Sequence, residues 1–193
     1  MNRSSIVAVA LGGAAVLAFT QFAFATTTQS RTDYATAVDR ASMVYKDALA
    51  KCASLAGHGK DMCVVEGKAV EMRAKGVAEA HLKGTLKAAT ASRITNADAD
   101  LMVATVACEA KTGQDKDVCV KQAQATQVKL VSAAKANKTA IDARTDAREE
   151  ARNAQYKVEI AKCDALAGPD KDVCTSTAKS AYGNQERRQV IRV

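Results

Sequence analysis

Tyr45-Lys-Asp-Ala-Leu-Ala-Lys-Cys52-Ala-Ser-Leu-Ala-Gly57-His-Gly-Lys-Asp61-Met-Cys63 decides the fold, because it returns later in the chain. The second copy is Tyr156-Lys-Val-Glu-Ile-Ala-Lys-Cys163-Asp-Ala-Leu-Ala-Gly168-Pro-Asp-Lys-Asp172-Val-Cys174. A looser copy lies between them, Val106-Ala-Cys108-Glu-Ala-Lys-Thr-Gly113-Gln-Asp-Lys-Asp117-Val-Cys119. Each copy keeps a cysteine, a glycine five residues on, a Lys-Asp step, and a second cysteine eleven after the first. The period is about 55 residues, and self-similarity at a fixed period marks one supersecondary unit used repeatedly.

The unit reads as helix–turn–helix. Gly57, Gly113 and Gly168 stand where a left-handed residue is expected to stop a helix, a conformation that glycine adopts cheaply. The acidic residue after each glycine suits the start of the next helix, and Pro169 suits the position just past the stop. Two antiparallel helices bring the cysteines of one copy to the same level. The expected pairs are therefore Cys52–Cys63, Cys108–Cys119 and Cys163–Cys174, although six cysteines allow fifteen pairings and the sequence alone does not select one. Each bridge would close a loop of about 12 residues, worth roughly 3 kcal/mol in the chain-entropy account.

Such staples matter because the packing surface is thin. Tyr34, Val38, Ala41, Tyr45, Ala48, Cys52 and Leu55 form a heptad seam. The expected facing row is Cys63, Gly67, Val70, Ala74, Val77, His81 and Gly84. Small residues admit close backbones but remove little apolar area from water.

Alanine makes up about a fifth of the chain and Pro169 is its one proline, so long helices are expected. Asp61–Thr112 and Asp115–Ala167 read as two long helices, with interruptions conceivable at Ser92–Asn96 and Asn137–Thr139. Unbroken, each would span about 75–80 Å. The second carries an alanine stripe at Ala140, Ala143, Ala147, Ala151 and Ala154. Arg144, Arg148 and Arg152 form one row beside it, and Asp142, Asp146 and Glu150 another. The expectation is a solvated helix with this stripe as its packing face, a partner-binding charged ridge being the alternative.

At the amino end, Arg3 precedes an apolar run from Ile6 to Phe19, and Ala23-Phe24-Ala25 offers a small-x-small cleavage site. These features predict a secretory leader over 1–25, cut before Thr26, and one all-helical domain over 26–193 with hairpin repeats near 34–75, 97–130 and 145–185. The apolar run, about 14 residues long, falls short of the roughly 18 that span a bilayer, so no stable membrane insertion is expected after cleavage; a retained anchor stretched through Thr20, Gln21 and Ala25 is the alternative. The net charge of +7 favours weak attraction to anionic envelope polymers. Aromatic residues are 4% of the chain and tryptophan is absent, which argues against nucleic acid, whose bases need stacking platforms.

Enzyme chemistry finds little support. Ten residues separate the cysteines of each pair, unlike the two of a thiol–disulfide catalyst. Zinc would need closer pairs or more histidines than His58 and His81. Asn96-Ala-Asp98-Ala-Asp100 begins like a calcium loop, but Leu101 and Ala107 stand where glycine and a bidentate glutamate are needed. No cofactor, metal or catalytic residue is predicted.

The Tyr-Lys…Lys-Cys-Asp-x-Leu-x-Gly-x-x-Lys-Asp-x-Cys pattern of Tyr156–Cys174 resembles a functionally uncharacterised family of small exported proteobacterial helical-hairpin repeat proteins, loosely labelled cell-envelope or TolA-like. The likeness extends to Tyr45–Cys63 and is weaker at Val106–Cys119, which lacks the tyrosine and the leucine. It implies a periplasmic location and no catalytic residues. The resulting expectation is an all-α protein of long antiparallel helices in three disulfide-stapled hairpins, elongated or a small bundle. Its role would be structural or interactive, with an envelope protein or anionic polymer as partner; a stress-related chaperone-like or polymer-binding module, using a shallow Ala/Val/Tyr groove with a basic rim, is the alternative.

Overall fold

The computed structural model describes the backbone of residues 19–182 and the side chains of residues 30–182. Residues 1–18 of the expected leader and residues 183–193 lie outside the described residues; the backbone of 19–25, with the expected cleavage site, forms the start of the first helix. Five α-helices follow one another: α1 Phe19–Cys52, α2 Gly57–Lys83, α3 Leu86–Cys108, α4 Gly113–Cys163 and α5 Gly168–Tyr182. No strand occurs among the described residues.

The three repeated turns share one construction. After the first cysteine the chain tightens, so that the carbonyls of Cys52, Cys108 and Cys163 accept from the N–H groups of Leu55, Lys111 and Leu166, each at 3.0 Å. Gly57, Gly113 and Gly168 then take φ of 55°, 55° and 58°. Each is the first residue of the following helix. That corrects the expected role: these glycines open α2, α4 and α5, whereas the preceding helices end at the cysteines. The left-handed residue is needed to swing an extended stretch such as Ala56 (φ −133°, ψ 160°) into the new helix. The cysteines meet as expected, with Cα–Cα distances of 5.6, 5.7 and 5.6 Å for 52–63, 108–119 and 163–174, within the range a disulfide tolerates.

A fourth turn overturns one of the expected long helices. Gly84 takes φ 55° and its N–H donates to Ala80 O at 2.9 Å, ending α2. The Thr85 hydroxyl accepts from Ala88 N–H at 3.2 Å and starts α3. Gly84 is therefore a helix stop and not a seam residue. The interruptions considered at Ser92–Asn96 and Asn137–Thr139 do not occur, since α3 and α4 run through them; the Thr139 hydroxyl donates back to Lys135 O. Replacing Thr85 by Ala removes a cap, and a loss of about 1 kcal/mol is expected, read from the urea midpoint of the oxidised protein.

Helix packing is sequential: α1 on α2, α2 on α3, α3 on α4, α4 on α5, with no other pairing among the described residues. The result is a layer one helix thick, with α1 at one edge and α4 at the other. At 51 residues, α4 is about 76 Å long and carries α3 along its first half and α5 along its second. Its more buried positions form one row, from Ala123 through Ala134, Thr145 and Tyr156 to Cys163.

The core is built of small residues. Beyond the cysteines, the buried apolar side chains are alanines such as Ala41, Ala69, Ala80 and Ala99, with Val65 and Leu86 the two larger ones among the described residues. On α1 the seam stands, except that Leu55 lies past the helix end and is 46% exposed. On α2 it does not: Cys63 and Gly67 face α1, but Val70, Ala74, Val77 and His81 are exposed. The reason is that α2 packs on both flanks. Gly67 meets Ala48 and Tyr45 of α1, whereas Gly76 meets Thr95 and Ser92 of α3. From Val70 onward the predicted row lies at the open side of the α1 contact line, where Ala74, Val77 and His81 border a groove against Tyr34 and Ala37 and stay exposed.

Candidate functional site

All six predicted site cysteines are disulfide-bonded, and no free cysteine exists. In each pair the first member, Cys52, Cys108 or Cys163, is fully buried, while Cys63, Cys119 and Cys174 are half-buried. The sulfurs serve as covalent pins between helices. His58 and His81 are exposed, and no cluster of three or more His, Cys, Asp or Glu comes together among the described residues. Asp98 and Asp100 sit within α3 and reach different neighbours: Gln127 donates to Asp98 at 2.8 Å, and Arg73 pairs with Asp100.

Sequence reasoning missed Glu71, which is 5% exposed between α1 and α2. Its Oε1 accepts from Ser42 Oγ at 3.3 Å and from Lys75 Nζ at 2.6 Å. Its Oε2 accepts from Lys68 Nζ at 2.8 Å, and Lys68 lies over the Tyr45 ring at 5.0 Å. Hydrogen bonds from Lys68 and then Lys75 outweigh burial and hold the carboxyl down to about 2, against an ordinary 4.5. The detectable signal was an acidic residue four after Gly67, flanked by lysines at i−3 and i+4.

A folded pKa below the unfolded one adds stability above pH 4.5, lost progressively as pH falls toward about 2. Wild type should therefore be more stable than Glu71→Gln at pH 7, and the gap should close across that window in urea titrations of the oxidised proteins.

At the end of the α1–α2 hairpin opposite its disulfide lies an open groove of about 580 Å³, a size within the ligand-site range. Tyr34, Ala37, Ala74, Val77, Ala78 and Leu82 line it, with Ser30, Asp33, Arg73 and His81 at the rim. The expected Ala/Val/Tyr groove thus exists, but its rim is mixed in charge and not basic, because Asp33 sits there and Arg73 pairs with Asp100.

The alanine stripe of α4 is a further correction. Ala140, Ala143, Ala147, Ala151 and Ala154 are all exposed, since α3 and α5 pack on the opposite side of the helix. Of the flanking charges, Arg144, Arg148, Asp146 and Glu150 are exposed, whereas Asp142 and Arg152 turn toward the packed side and are half-buried. No described helix is long and apolar enough to cross a membrane, and three disulfides are the chemistry of an oxidising compartment. Comparison with protein-family models, with curated proteins and with solved structures finds no match to this chain.

Proposed function

We propose that this chain is a non-enzymatic structural or interaction protein of the bacterial periplasm, exported by a leader cleaved before Thr26 and related to the hairpin-repeat family it resembles. One observation carries the reading: the same turn is built three times, each closed by its own disulfide, around a core made mostly of alanine. Such a body keeps a thin, extended surface rigid without the bulk of a large apolar core, and three oxidised pairs need export to form. The partner is an envelope protein or an anionic envelope polymer, drawn by the basic surplus of the chain, and not nucleic acid.

The test is to express the full chain in a Gram-negative host, fractionate the cells and capture partners from envelope extract with the oxidised protein. The reading expects a periplasmic product with the mass of residues 26–193 and salt-sensitive retention of an envelope component. A cytoplasmic product that keeps Met1 and its thiols would contradict it.

The groove between α1 and α2 favours a second reading, a chaperone-like or polymer-binding module. That reading expects suppression of client aggregation or binding of an envelope polymer, either one reduced when Val77→Glu closes the groove. No effect in either assay would leave the structural role alone standing.

A further inference from the structure

We propose that the outward face of α4 docks a second copy of this chain in parallel register, joining two helical layers edge to edge. From Ala133 to Ala161, small apolar residues recur on α4 at steps of three and four, including Ala140, Ala147, Ala154 and Val158. Every one of these positions is exposed, Val158 by 49%. The row lies on the side of α4 away from α3 and α5, so the rest of each layer extends away from it and leaves room for another helix.

The charges beside the row indicate what covers it. Arg144 and Arg148 lie roughly a quarter-turn to one side, Asp146 and Glu150 roughly a quarter-turn to the other. None of the four makes an ion pair within the chain among the described residues. Like charges four apart on a helix repel, so this segregation works against α4 by itself. A second α4 running parallel presents its acidic flank to the arginine flank at the same height, and its arginine flank to the acidic one. An antiparallel copy would set arginines against arginines. The pattern is therefore self-complementary in one orientation only.

The contact is modest in size. A strip of 29 residues is about 43 Å long and about 10 Å wide, which gives about 900 Å² over both copies. Stable complexes bury about 1,200–2,000 Å², so the dimer is weak and dependent on concentration.

Sedimentation equilibrium on the oxidised protein as recovered from the exporting cell, from micromolar to millimolar, should show monomer passing to dimer. Ala147→Glu with Ala154→Glu should weaken the dimer at least about tenfold with helicity by circular dichroism unchanged, because both sites are exposed. Arg144→Glu with Arg148→Glu should weaken it too, and adding Asp146→Arg and Glu150→Arg should restore it. Ala140→Cys and Ala154→Cys should each cross-link to itself, as a parallel pair requires. Monomer at every concentration, a dimer indifferent to charge on the stripe, or cross-linking only in a mixture of the two cysteine variants would overturn the proposal. So would a protein that stays monomeric and uses the arginine row to bind an anionic polymer.

Discussion

Reducing the three disulfides is expected to unfold the helical layer at room temperature. Each bridge closes a loop between cysteines eleven apart, worth about 3 kcal/mol in the chain-entropy account. Three such terms, about 9 kcal/mol together, match the whole net stability of an ordinary domain, about 5–15 kcal/mol. The apolar packing has little reserve: among the described residues Val65 and Leu86 are the only buried aliphatic side chains larger than alanine, and alanine removes little area from water. Far-ultraviolet circular dichroism with and without reductant in dilute urea is the measurement, and most of the helical signal should go. The double variant Cys108→Ser/Cys119→Ser separates the bridges. It frees the turn of α3 and α4, the one helix pair that joins α1–α3 to the arm of α4 and α5 among the described residues, and should lower stability by about 3 kcal/mol while the other two hairpins stay stapled.

The second large effect is expected at Gly67. A Cβ built there would stand 2.9 Å from Ala48 Cβ and 3.4 Å from Tyr45 Cδ2, and both neighbours belong to the facing helix. Gly67→Val must therefore push α1 away from α2 and loosen the Ser42–Glu71 contact one turn along. Overpacking of this kind costs about 2 kcal/mol, more than the gain from removing a helix glycine, about 0.5–1 kcal/mol. Gly59→Ala is the control, since nothing lies within 4 Å of its added Cβ and its φ is ordinary. It should be neutral or slightly stabilising. Paired urea melts of the oxidised proteins read the contrast.

The repeated turns were legible in the sequence because a covalent pair, a left-handed glycine and a fixed spacing all constrain the same few residues. The six cysteines pair within their own copies, as that spacing implied. Gly84 was harder to read. It fits a heptad count as well as Val77 or His81 does, and only the following Thr85, a natural cap, marks it as a stop. Heptad counting on α2 failed for a related reason: it assumes one partner, and a helix held between α1 and α3 has two contact lines. The α4 alanines were expected to pack because small residues in register look like a seam. Nothing local shows that α3 and α5 take the other side, where less uniform residues such as Gln127, Thr145 and Tyr156 form the contact row. Glu71 stayed hidden because a charged residue on a helix is ordinarily solvated, and its burial depends on Ser42 arriving from α1.

Disulfide mapping of the unreduced protein by mass spectrometry tests the architecture most directly. Peptides should be found joined as Cys52–Cys63, Cys108–Cys119 and Cys163–Cys174, with no free thiol. Any bridge between different turns, such as Cys52 to Cys119, or sulfurs recovered unpaired, would contradict the stapled layer.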